Sequence, residues 1–516
     1  MPVSAADTKD MLRIVIAADI RSLNPGVKRD STTDMVVHHI FEGLVGYKKN
    51  LDVAPMLAEK ISLSEDKTHY FFTLRQGVKF HNGEEVTAEH VRWNWQRFMD
   101  PKTRWRCKPW FDGSTSYSVN LLSVNVVSRY EIRFTIEKPS FTFLHRLANV
   151  QCFSAIIHPQ SVDEEGRLMQ PIGTGPYKLK EWRHGEYVDL ERFDDYQASN
   201  LPTDGYTGKK QALSKRLRFL IVSDTAVAKS ALLAGDIDIY RAPLTLYPEL
   251  DGLQNIRRDV YPVLNWTTFL LQTNDPLLSD PNIRKAIMHA IDRDGLAKYA
   301  TLGFGKANSS AVPGKSPYHT AAHNDWYEYN PAKTKKYLAQ AKYAGEVIKI
   351  QTNRKNPQLY DNAIILHSML LDAGINAELE VLDWASQLNN FYSGAFQISS
   401  FDYSARTEPY LNYLIITGLK SKNAANQWNS SKALALLAQT EIAETVDERQ
   451  SLFEQLHALM RKDLPIIGLY NSQDLMLTRK EIVGLKSWVI GTPRFWGVYR
   501  QKSKVLPTAN TEKGGA

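Results

Sequence analysis

The sequence predicts an α/β fold spread over more than one domain. Segments patterned as buried strands alternate with segments patterned as amphipathic helices through most of the chain, which is typical of α/β domains. At 516 residues the chain is also too long for a single hydrophobic core, so we expect two or three domains. No repeat, low-complexity tract or long linker separates them, which indicates that the domains are woven together.

The N-terminal part of the chain begins with a strand, a turn and a helix. "MLRIVIAADI" at 11–20 is an apolar run of strand length, and "STTDMVVHHIFEGL" at 31–44 opens with capping residues and continues at helical spacing. An alternating strand, an Asn-Gly turn and a helix capped by Thr87 follow within 67–101. This succession predicts an α/β unit at the start of the chain.

Two hairpins follow this unit. Residues 123–139 contain two strand patterns joined at "SRY", and residues 170–196 contain a Gly-rich turn and a long β-hairpin. The "GTG" of that turn precedes a strand instead of a helix and lacks Gly-Lys-Ser/Thr. It is therefore not a phosphate-binding loop.

The rest of the chain predicts a second α/β unit. Residues 217–242 show strand, helix and strand, and residues 265–293 show a strand and then a helix announced by Asp-Pro. Helix and strand patterns continue to alternate up to Trp384. The number of strands requires a sheet for this unit as well.

Composition and charge exclude several classes of protein. Hydrophobic residues make up 43% and charged residues 23% of the chain, as in ordinary globular proteins. The 63 Lys and Arg exceed the 56 Asp and Glu and give a net charge of +7, but the basic residues are scattered. A cluster such as "SKRLR" at 214–218 alternates basic and apolar residues like a half-exposed strand, so we predict no nucleic-acid partner. No apolar run approaches the roughly 20 residues that cross a bilayer, so we expect any membrane role to come through a partner.

Motifs of common enzymes are missing from the sequence. There is no His-Glu-x-x-His, no Gly-x-Ser-x-Gly, no Cys-x-x-Cys and no Gly-x-Gly-x-x-Gly opening a helix. The adjacent pair His38 and His39 would point to different faces of a helix, so we interpret it as structural. These absences exclude the easily recognised hydrolases, zinc enzymes and dinucleotide enzymes, and we predict no metal and no cofactor.

Four segments in order resemble the family 5 extracellular solute-binding proteins, which are the peptide, nickel and opine receptors of ABC importers. They are "LAEKISLSEDKTHYFFTLRQGVKFHNGEEVTAEHV", "PIGTGPYKLKEW", "ALLAGDIDI" and "NIRKAIMHAID". The resemblance runs from about Met11 to about Arg500. It implies a periplasmic-binding-protein-like Venus flytrap, in which two α/β lobes joined by two crossover strands close on a ligand and an inserted smaller domain accompanies them.

The resemblance also implies domain boundaries. Lobe I would comprise 11–45, 172–263 and 475–505, the small domain 46–171, and lobe III 264–474, with tails at 1–10 and 506–516. The crossover strands would lie near "YPVLNW" and "LYNSQD".

The same resemblance implies function and location. We expect a monomeric periplasmic receptor that performs no chemistry, captures a small-molecule ligand and delivers it to the membrane permease subunits of an ABC importer. The N-terminal "VSAAD" is similar to the residues left after signal-peptide cleavage, so a signal peptide would have been removed or replaced.

The ligand segment implied by the resemblance is "FDYSARTEP" at 401–409, together with Trp384. Peptide receptors of the family carry an Asp about four residues before this Pro, where it binds the peptide amine; here Ala405 is at that distance, with Arg406 beside it. Arginine suits carboxylate and phosphate. We therefore expect an anionic or hydroxyl-rich ligand, such as an opine, a sugar phosphate or a modified peptide, with Tyr403 and Ser404 as further contacts.

Three alternatives stay open at this point. The first is a generic di- or oligopeptide-binding protein, and the second is a hydrolytic enzyme on the same fold. The third is local: Arg406 pairs on the surface with Glu408 or Asp402 in an ordinary exposed ion pair.

Further candidates lie in "NQWNSSKALALLAQ" at 426–439. Trp428 could stack on a ring of the ligand, and Asn429 and Ser430 could donate hydrogen bonds, although Ser430 also fits the N-cap of the next helix. The two cysteines, Cys107 and Cys152, form a disulfide if the compartment is oxidising and are buried thiols otherwise.

Overall fold

The computed structural model describes residues 10–115, 118–404 and 406–501. Apart from Asp10, the predicted tails lie outside the described residues, as does Ala405. The α/β class is confirmed, because helices and strands alternate around a large mixed sheet. The predicted domain boundaries stay a prediction, and we keep the names lobe I, small domain and lobe III for the segments defined above.

The described strands are β1 (Met11–Ile16), β2 (Val45–Tyr47), β3 (Val53–Pro55), β4 (Ala58–Leu63), β5 (His69–Leu74), β6 (Leu121–Ser128), β7 (Glu131–Ile136), β8 (Tyr177–Arg183), β9 (Tyr187–Arg192), β10 (Arg216–Ile221), β11 (Ile239–Ala242), β12 (Ile256–Leu271), β13 (Ile348–Asn353), β14 (Ala377–Leu382), β15 (Ile398–Tyr403), β16 (Ile466–Arg479), β17 (Ile482–Val483) and β18 (Tyr499–Arg500). Most of the longer strands coincide with predicted patterns, although β1 ends four residues early and no strand was predicted for β2, β3, β4, β17 or β18.

The helices begin at the caps that the sequence offers. They are α1 (Ser31–Val37), α2 (Ala88–Met99), α3 (Phe143–Leu147), α4 (Thr225–Ala234), α5 (Leu246–Glu249), α6 (Pro281–Ala290), α7 (Arg293–Ala300), α8 (Pro331–Gln340), α9 (Pro357–Asp372), α10 (Trp384–Ser393), α11 (Pro409–Ile416), α12 (Ser431–Ile442) and α13 (Val446–Asp463). Thr87 forms a capping box with His90 at the start of α2, and Asp280 caps α6. None of the described helices is long and apolar enough to cross a bilayer.

Helix α1 ends at Val37, seven residues before the predicted end. The reason is tertiary, because the backbone carbonyls of His39 and Ile40 accept hydrogen bonds from the N–H groups of Tyr177 and Gly175. These partners replace the hydrogen bonds that a longer helix would have made.

One mixed sheet runs through both halves of the molecule, in the strand order β14-β13-β15-β12-β16-β11-β1-β10-β9-β8. The long strands β12 and β16 pair along most of their length and carry the chain from one half to the other. Their register breaks between Pro262 and Trp266, opposite Asn471 and Gln473. The two segments expected to contain the crossovers lie at this break, which is where the two halves can bend relative to each other.

The buried apolar residues form separate cores on the two sides of this break. One core runs from Trp266 to Tyr470 and fills the half that contains β13, β14 and β15. A second core comes mainly from residues 44–172 and is covered by the four-stranded sheet β4-β5-β7-β6 and helix α2. Two further cores pack around β1, β10 and β11. Each half is therefore held together independently of the other.

The cysteine pair lies in the second of these cores. Cys107 and Cys152 form a disulfide with their Cα atoms 5.5 Å apart, and both residues are buried. The bridge fixes the loop that carries Arg106 against the segment around Cys152.

Candidate functional site

The predicted ligand segment lies where β15 ends, at the junction between the two halves of the sheet. Tyr403 is the last residue of β15 and pairs with Trp266 of β12. Trp266 is the first residue after the register break, so Tyr403 lies level with the point at which β12 passes between the halves. Trp384 follows β14, whose carboxyl end shares this edge because β13, β14 and β15 run parallel. The edge at the carboxyl ends of parallel strands is where open α/β sheets bind ligands.

Tyr403 and Trp384 belong to one row of aromatic rings. The centroid of Phe401 lies 5.2 Å from that of Tyr403 and 6.1 Å from that of Trp384. Trp384 is partly exposed, whereas Tyr403 is buried. The Tyr403 hydroxyl has no hydrogen-bond partner among the described residues, and burial raises its pKa, so it stays a protonated donor. A buried hydroxyl without a partner costs free energy that a ligand acceptor would recover.

Arg406 forms no ion pair with any described residue. Its Nη1 donates to the backbone carbonyl of Ser404 at 2.9 Å, so Ser404, which is exposed, contributes its main chain to the orientation of Arg406. The guanidinium is partly exposed. Burial, together with the neighbouring charges of Arg106 and Arg29, lowers the pKa of Arg406 to about 10, which leaves it charged at neutral pH.

The two carboxylates considered as surface partners of Arg406 are engaged elsewhere. Asp402 accepts from Asn265 Nδ2 at 2.7 Å and from Thr267 Oγ1 at 3.1 Å, and burial raises its pKa to about 6. Glu408 pairs with Arg449 at 2.8 Å, and both of these side chains are fully buried. The interpretation of Arg406 as half of an ordinary surface ion pair is therefore wrong.

Two arginines that the sequence did not single out, Arg29 and Arg106, influence the charge of Arg406. Arg29 precedes helix α1, and its guanidinium binds both carboxylate oxygens of Asp34. Burial raises the pKa of Asp34 to about 6, against the opposing effect of Arg29. Arg106 is exposed and forms no hydrogen bond or ion pair with the described residues. The charges of Arg106 and Arg29 both contribute to the lowered pKa of Arg406.

The second group of sequence candidates lies differently. Trp428 is only 2% exposed, and its indole N–H donates to Asp463 Oδ2 at 2.9 Å. The ring belongs to the core of lobe III and has no free face for a ligand. The structure therefore contradicts the stacking role expected for Trp428 from the sequence. Ser430 accepts from the N–H of Ala433 as the N-cap of α12, and Asn429 is exposed beside it. The capping alternative for Ser430 is the one the structure shows.

One trio of side chains has the composition of a metal site: Glu84, His90 and His158. Its hydrogen bonds argue against that role. Nδ1 of His90 accepts from the N–H of Thr87, and Nδ1 of His158 accepts from the N–H of Gln160. Each neutral ring must then carry its proton on Nε2, which donates to Glu84 at 3.2 Å and 2.8 Å respectively. The nitrogens facing the carboxylate have no free lone pair with which to bind a metal ion. The trio therefore stabilises the small domain through its hydrogen bonds.

A wide groove of about 700 Å³ lies at the opposite end of lobe III, lined among others by Val347, Phe396 and Lys420. These residues adjoin the amino ends of β13 and β15, away from the cleft edge. All of the lining comes from lobe III. Lobe closure would not enclose a ligand in this groove. The groove is therefore not the site expected of a receptor that closes two lobes on its ligand.

Comparisons with known proteins agree with the fold. A family model described as bacterial extracellular solute-binding proteins, family 5 Middle, matches residues 52–425. The oligopeptide-binding protein OppA of Bacillus subtilis is 22% identical over 507 residues, which cover 92% of this chain and 90% of that protein.

Solved structures resemble the chain over nearly its whole length. The periplasmic binding protein DppA from Helicobacter pylori, in complex with the peptide STSA, has a TM-score of 0.79 at 24% identity and covers 95% of this chain and 98% of that one. The binding protein AgaA from Agrobacterium tumefaciens R10, in complex with agropinic acid, has a TM-score of 0.78 at 20% identity, with 95% and 99% covered. At these identities the likeness shows the fold, which is that of periplasmic binding proteins.

Proposed function

Because the chain belongs to the family 5 bacterial extracellular solute-binding proteins, we propose that it captures an anionic or hydroxyl-rich small molecule between its lobes for an ABC importer. Relatives in this family are extracellular or periplasmic binding proteins. Delivery to membrane permease subunits, a periplasmic location and a monomeric state belong to the same proposal. Affinity in such a receptor depends on how well the closed state encloses its ligand.

The proposed ligand class is inferred from the charge and the missing ion-pair partner of Arg406. It lies at the cleft edge as a charged guanidinium without a carboxylate partner among the described residues. A charge in a partly desolvated position is costly unless a counter-ion reaches it. An anionic group on the ligand supplies that partner, and a bidentate hydrogen bond to it adds geometric specificity.

The aromatic row beside Arg406 supplies the apolar part of the site. Trp384 offers a partly exposed ring, and the buried Tyr403 has a hydroxyl without a hydrogen-bond partner among the described residues. One charged contact, one hydroxyl donor and aromatic walls are a common composition for small-molecule sites. An opine, a sugar phosphate or a modified peptide would each use all three features.

The second candidate is a generic peptide receptor, favoured by the peptide named in the DppA complex and by the name of OppA. A peptide would present a carboxylate to Arg406 but also an ammonium group. Among the described residues of the ligand segment, both acidic side chains are taken up by partners within the protein. The ammonium group would therefore lie near Arg406 without a carboxylate of its own, which disfavours peptides with a free amine.

The test begins with mass spectrometry of small molecules released from the purified protein by denaturation. The molecule found is then titrated by calorimetry against the wild type and Arg406→Ala. We expect a loss of about 2 to 5 kcal/mol in binding free energy, mostly through faster release, because truncation removes a buried charged contact. Lys at this position should restore binding only in part, because it lacks the planar fork.

Arg183→Ala is the matched control. Arg183 lies in the β8–β9 hairpin at the far edge of the sheet and pairs only with exposed glutamates. This variant should bind like the wild type. Equal affinity of Arg406→Ala and wild type would contradict the ligand assignment, a peptide with a free amine would favour the second candidate, and recovery of a chemically altered ligand would indicate an enzyme.

A further inference from the structure

The wide groove at the amino ends of β13 and β15 is lined by charged residues of both signs. Lys349 and Lys420 carry positive charges, and Asp275 and Glu380 carry negative charges. None of these four side chains forms an ion pair with a residue in the described part of the chain. The partners of Lys420, Asp275 and Glu380 are neutral amides instead. Opposite charges in equal number therefore face the same groove without neutralising each other.

Lys420 is a buried cation without a counter-charge. The residue is 7% exposed, and its Nζ donates to the side-chain oxygen of Gln272, another lining residue, at 2.5 Å. This oxygen satisfies one of the three protons of the ammonium group. Burial, reinforced by the charge of Arg284, lowers the pKa of Lys420 to about 8, so the side chain is mostly protonated at pH 7. A carboxylate that reaches it would recover part of the free energy lost when the charge is removed from water.

A continuous chain of hydrogen bonds leads from Lys420 along the groove to Glu380. From Gln272, the partner of Lys420, Nε2 donates to the first carbonyl of the 394–395 loop at 2.8 Å. Gln351 donates from Nε2 to the second carbonyl of this loop at 3.1 Å and to Oε2 of Glu380 at 2.7 Å. Two glutamine side chains and a dipeptide therefore separate the ammonium group from the carboxylate, which keeps the two charges at different points of the groove.

The other acid and base of the groove are stabilised by their surroundings. Asp275 accepts through Oδ1 from two backbone N–H groups of the following turn, at 2.9 Å and 3.0 Å, and through Oδ2 from Gln397 at 3.2 Å. Lys349 is exposed, so water solvates its charge. Glu380 is partly buried, and its carboxylate accepts one hydrogen bond among the described residues. It is therefore the acid that has room for a cationic group.

We propose that this groove is a second binding site, which takes an extended zwitterion with its carboxylate at Lys420 and its ammonium group at Glu380. A short peptide and an ω-amino acid both have this chemistry. An α-amino acid does not, because a single carbon atom joins its two charged groups and cannot span the chain of hydrogen bonds. The groove, at about 700 Å³, has the size of small-molecule sites. This second site does not depend on the cleft or on the proposed receptor function.

Isothermal titration calorimetry of the full chain at pH 7 tests the proposal with triglycine as the probe. N-acetyl-triglycine lacks the ammonium group, triglycine amide lacks the carboxylate, and glycine carries both charges on one carbon. Triglycine should bind, and each of the other three should bind about tenfold more weakly, because a hydrogen bond to a charged group is lost. The zwitterion ε-aminohexanoate has the charge separation without the peptide amides. Affinity equal to that of triglycine would identify a plain zwitterion as the ligand class, and weaker binding would identify a peptide.

Lys420→Gln and Glu380→Gln remove the two charges in turn, and Lys422→Gln and Glu378→Gln are the matched controls. Both control residues are exposed neighbours outside the lining of the groove. The Kd for triglycine should rise about tenfold in each groove variant and stay unchanged in the controls. Lys420→Gln should also bind triglycine and triglycine amide equally, while still preferring triglycine to its N-acetyl form. A general loss of structure would not produce that selective change. Arg406→Ala should bind triglycine like the wild type.

The proposal is overturned if triglycine does not bind, if glycine or a singly charged analogue binds equally well, or if the groove variants behave like their controls. It is also overturned if Arg406→Ala abolishes triglycine binding, because the peptide would then occupy the cleft. The same variants assign any peptide released from the native protein to the groove or to the cleft. None of these titrations measures lobe closure, so failure of the second site would leave the receptor function intact.

Discussion

Glu441 should be the main point of attachment between the small domain and lobe III. Its carboxylate accepts from Ser140 Oγ at 2.7 Å, from Thr142 Oγ1 at 2.6 Å and from Arg146 Nη2 at 2.7 Å. Burial alone would raise the pKa of Glu441, but Arg146 and the two hydroxyls outweigh it and leave the pKa below its usual value. The backbone N–H of Phe141 also donates to the carbonyl of Glu441 at 2.9 Å.

The size of the effect follows from burial. Arg146 is 1% exposed and Glu441 15% exposed, so Glu441→Gln removes a carboxylate charge that faces a buried guanidinium. Breaking a buried pair in this way costs about 3 to 5 kcal/mol, and the retained amide oxygen places the expected loss near the lower end of that range. We therefore expect the free energy of unfolding in urea to fall by about 3 kcal/mol.

A second ion pair between the same two units provides the control. Lys67 and Glu444 lie 2.8 Å apart, but their side chains are 49% and 72% exposed. Glu444→Gln should cost less than about 1 kcal/mol, as exposed pairs do. A double-mutant cycle of Glu441→Gln with Arg146→Met should give a coupling energy above roughly 1.5 kcal/mol. The reasoning is refuted if Glu441→Gln and Glu444→Gln cost the same, or if the cycle gives no coupling.

Three further changes have expected outcomes. Cys107→Ser removes the disulfide, which closes a sequence separation of 45 residues, and should lower the free energy of unfolding by roughly 4 kcal/mol; equal stability of variant and wild type without reductant would contradict it. Acidification should destabilise the protein, because burial lowers the pKa of His39 to about 3 and of His81 to about 4. In the unfolded chain these histidines take up protons below a pKa of about 6.5, whereas in the folded protein they stay neutral. The free energy of unfolding should therefore fall by roughly 2 kcal/mol per histidine at pH 5. The raised pKa values of Asp34 and Asp402 act in the opposite direction and offset only part of this loss, so a denaturation midpoint that rises between pH 7 and pH 5 would count against the assignment. Trp428→Phe should lower the free energy of unfolding by roughly 1 to 3 kcal/mol and leave ligand affinity unchanged. Weakened ligand binding would indicate that Trp428 contacts the ligand after all.

Most of the fold follows from local patterns in the sequence. Strands β5, β6 and β7 alternate in the way the sheet of the small domain requires, and α2 and α6 begin at the caps that Thr87 and Asp280 provide. The early end of α1 could not be predicted, because the hydrogen bonds that replace its last turns come from Gly175 and Tyr177, far away in the chain. Only the folded arrangement brings those donors to His39 and Ile40.

The site was predictable only in part for the same reason. Trp384 follows a strand and Tyr403 is the last residue of one, so their position at the sheet edge could be expected from the order of elements. Arg29 and Arg106 lie in loops hundreds of residues before Arg406, and nothing in their local sequence distinguishes them from other surface arginines. Trp428 shows the opposite error, because a Trp beside polar residues resembles a ligand contact until its burial and its hydrogen bond to Asp463 are known.

The central claim is that the two halves of the molecule close on a small ligand that leaves unchanged. Solution X-ray scattering tests it most directly, with the molecule released from the native protein added back to a ligand-free preparation. The radius of gyration should fall on saturation and return after dialysis, with the molecule recovered intact. Tight binding without any change in the scattering profile would contradict closure about the break between Pro262 and Trp266.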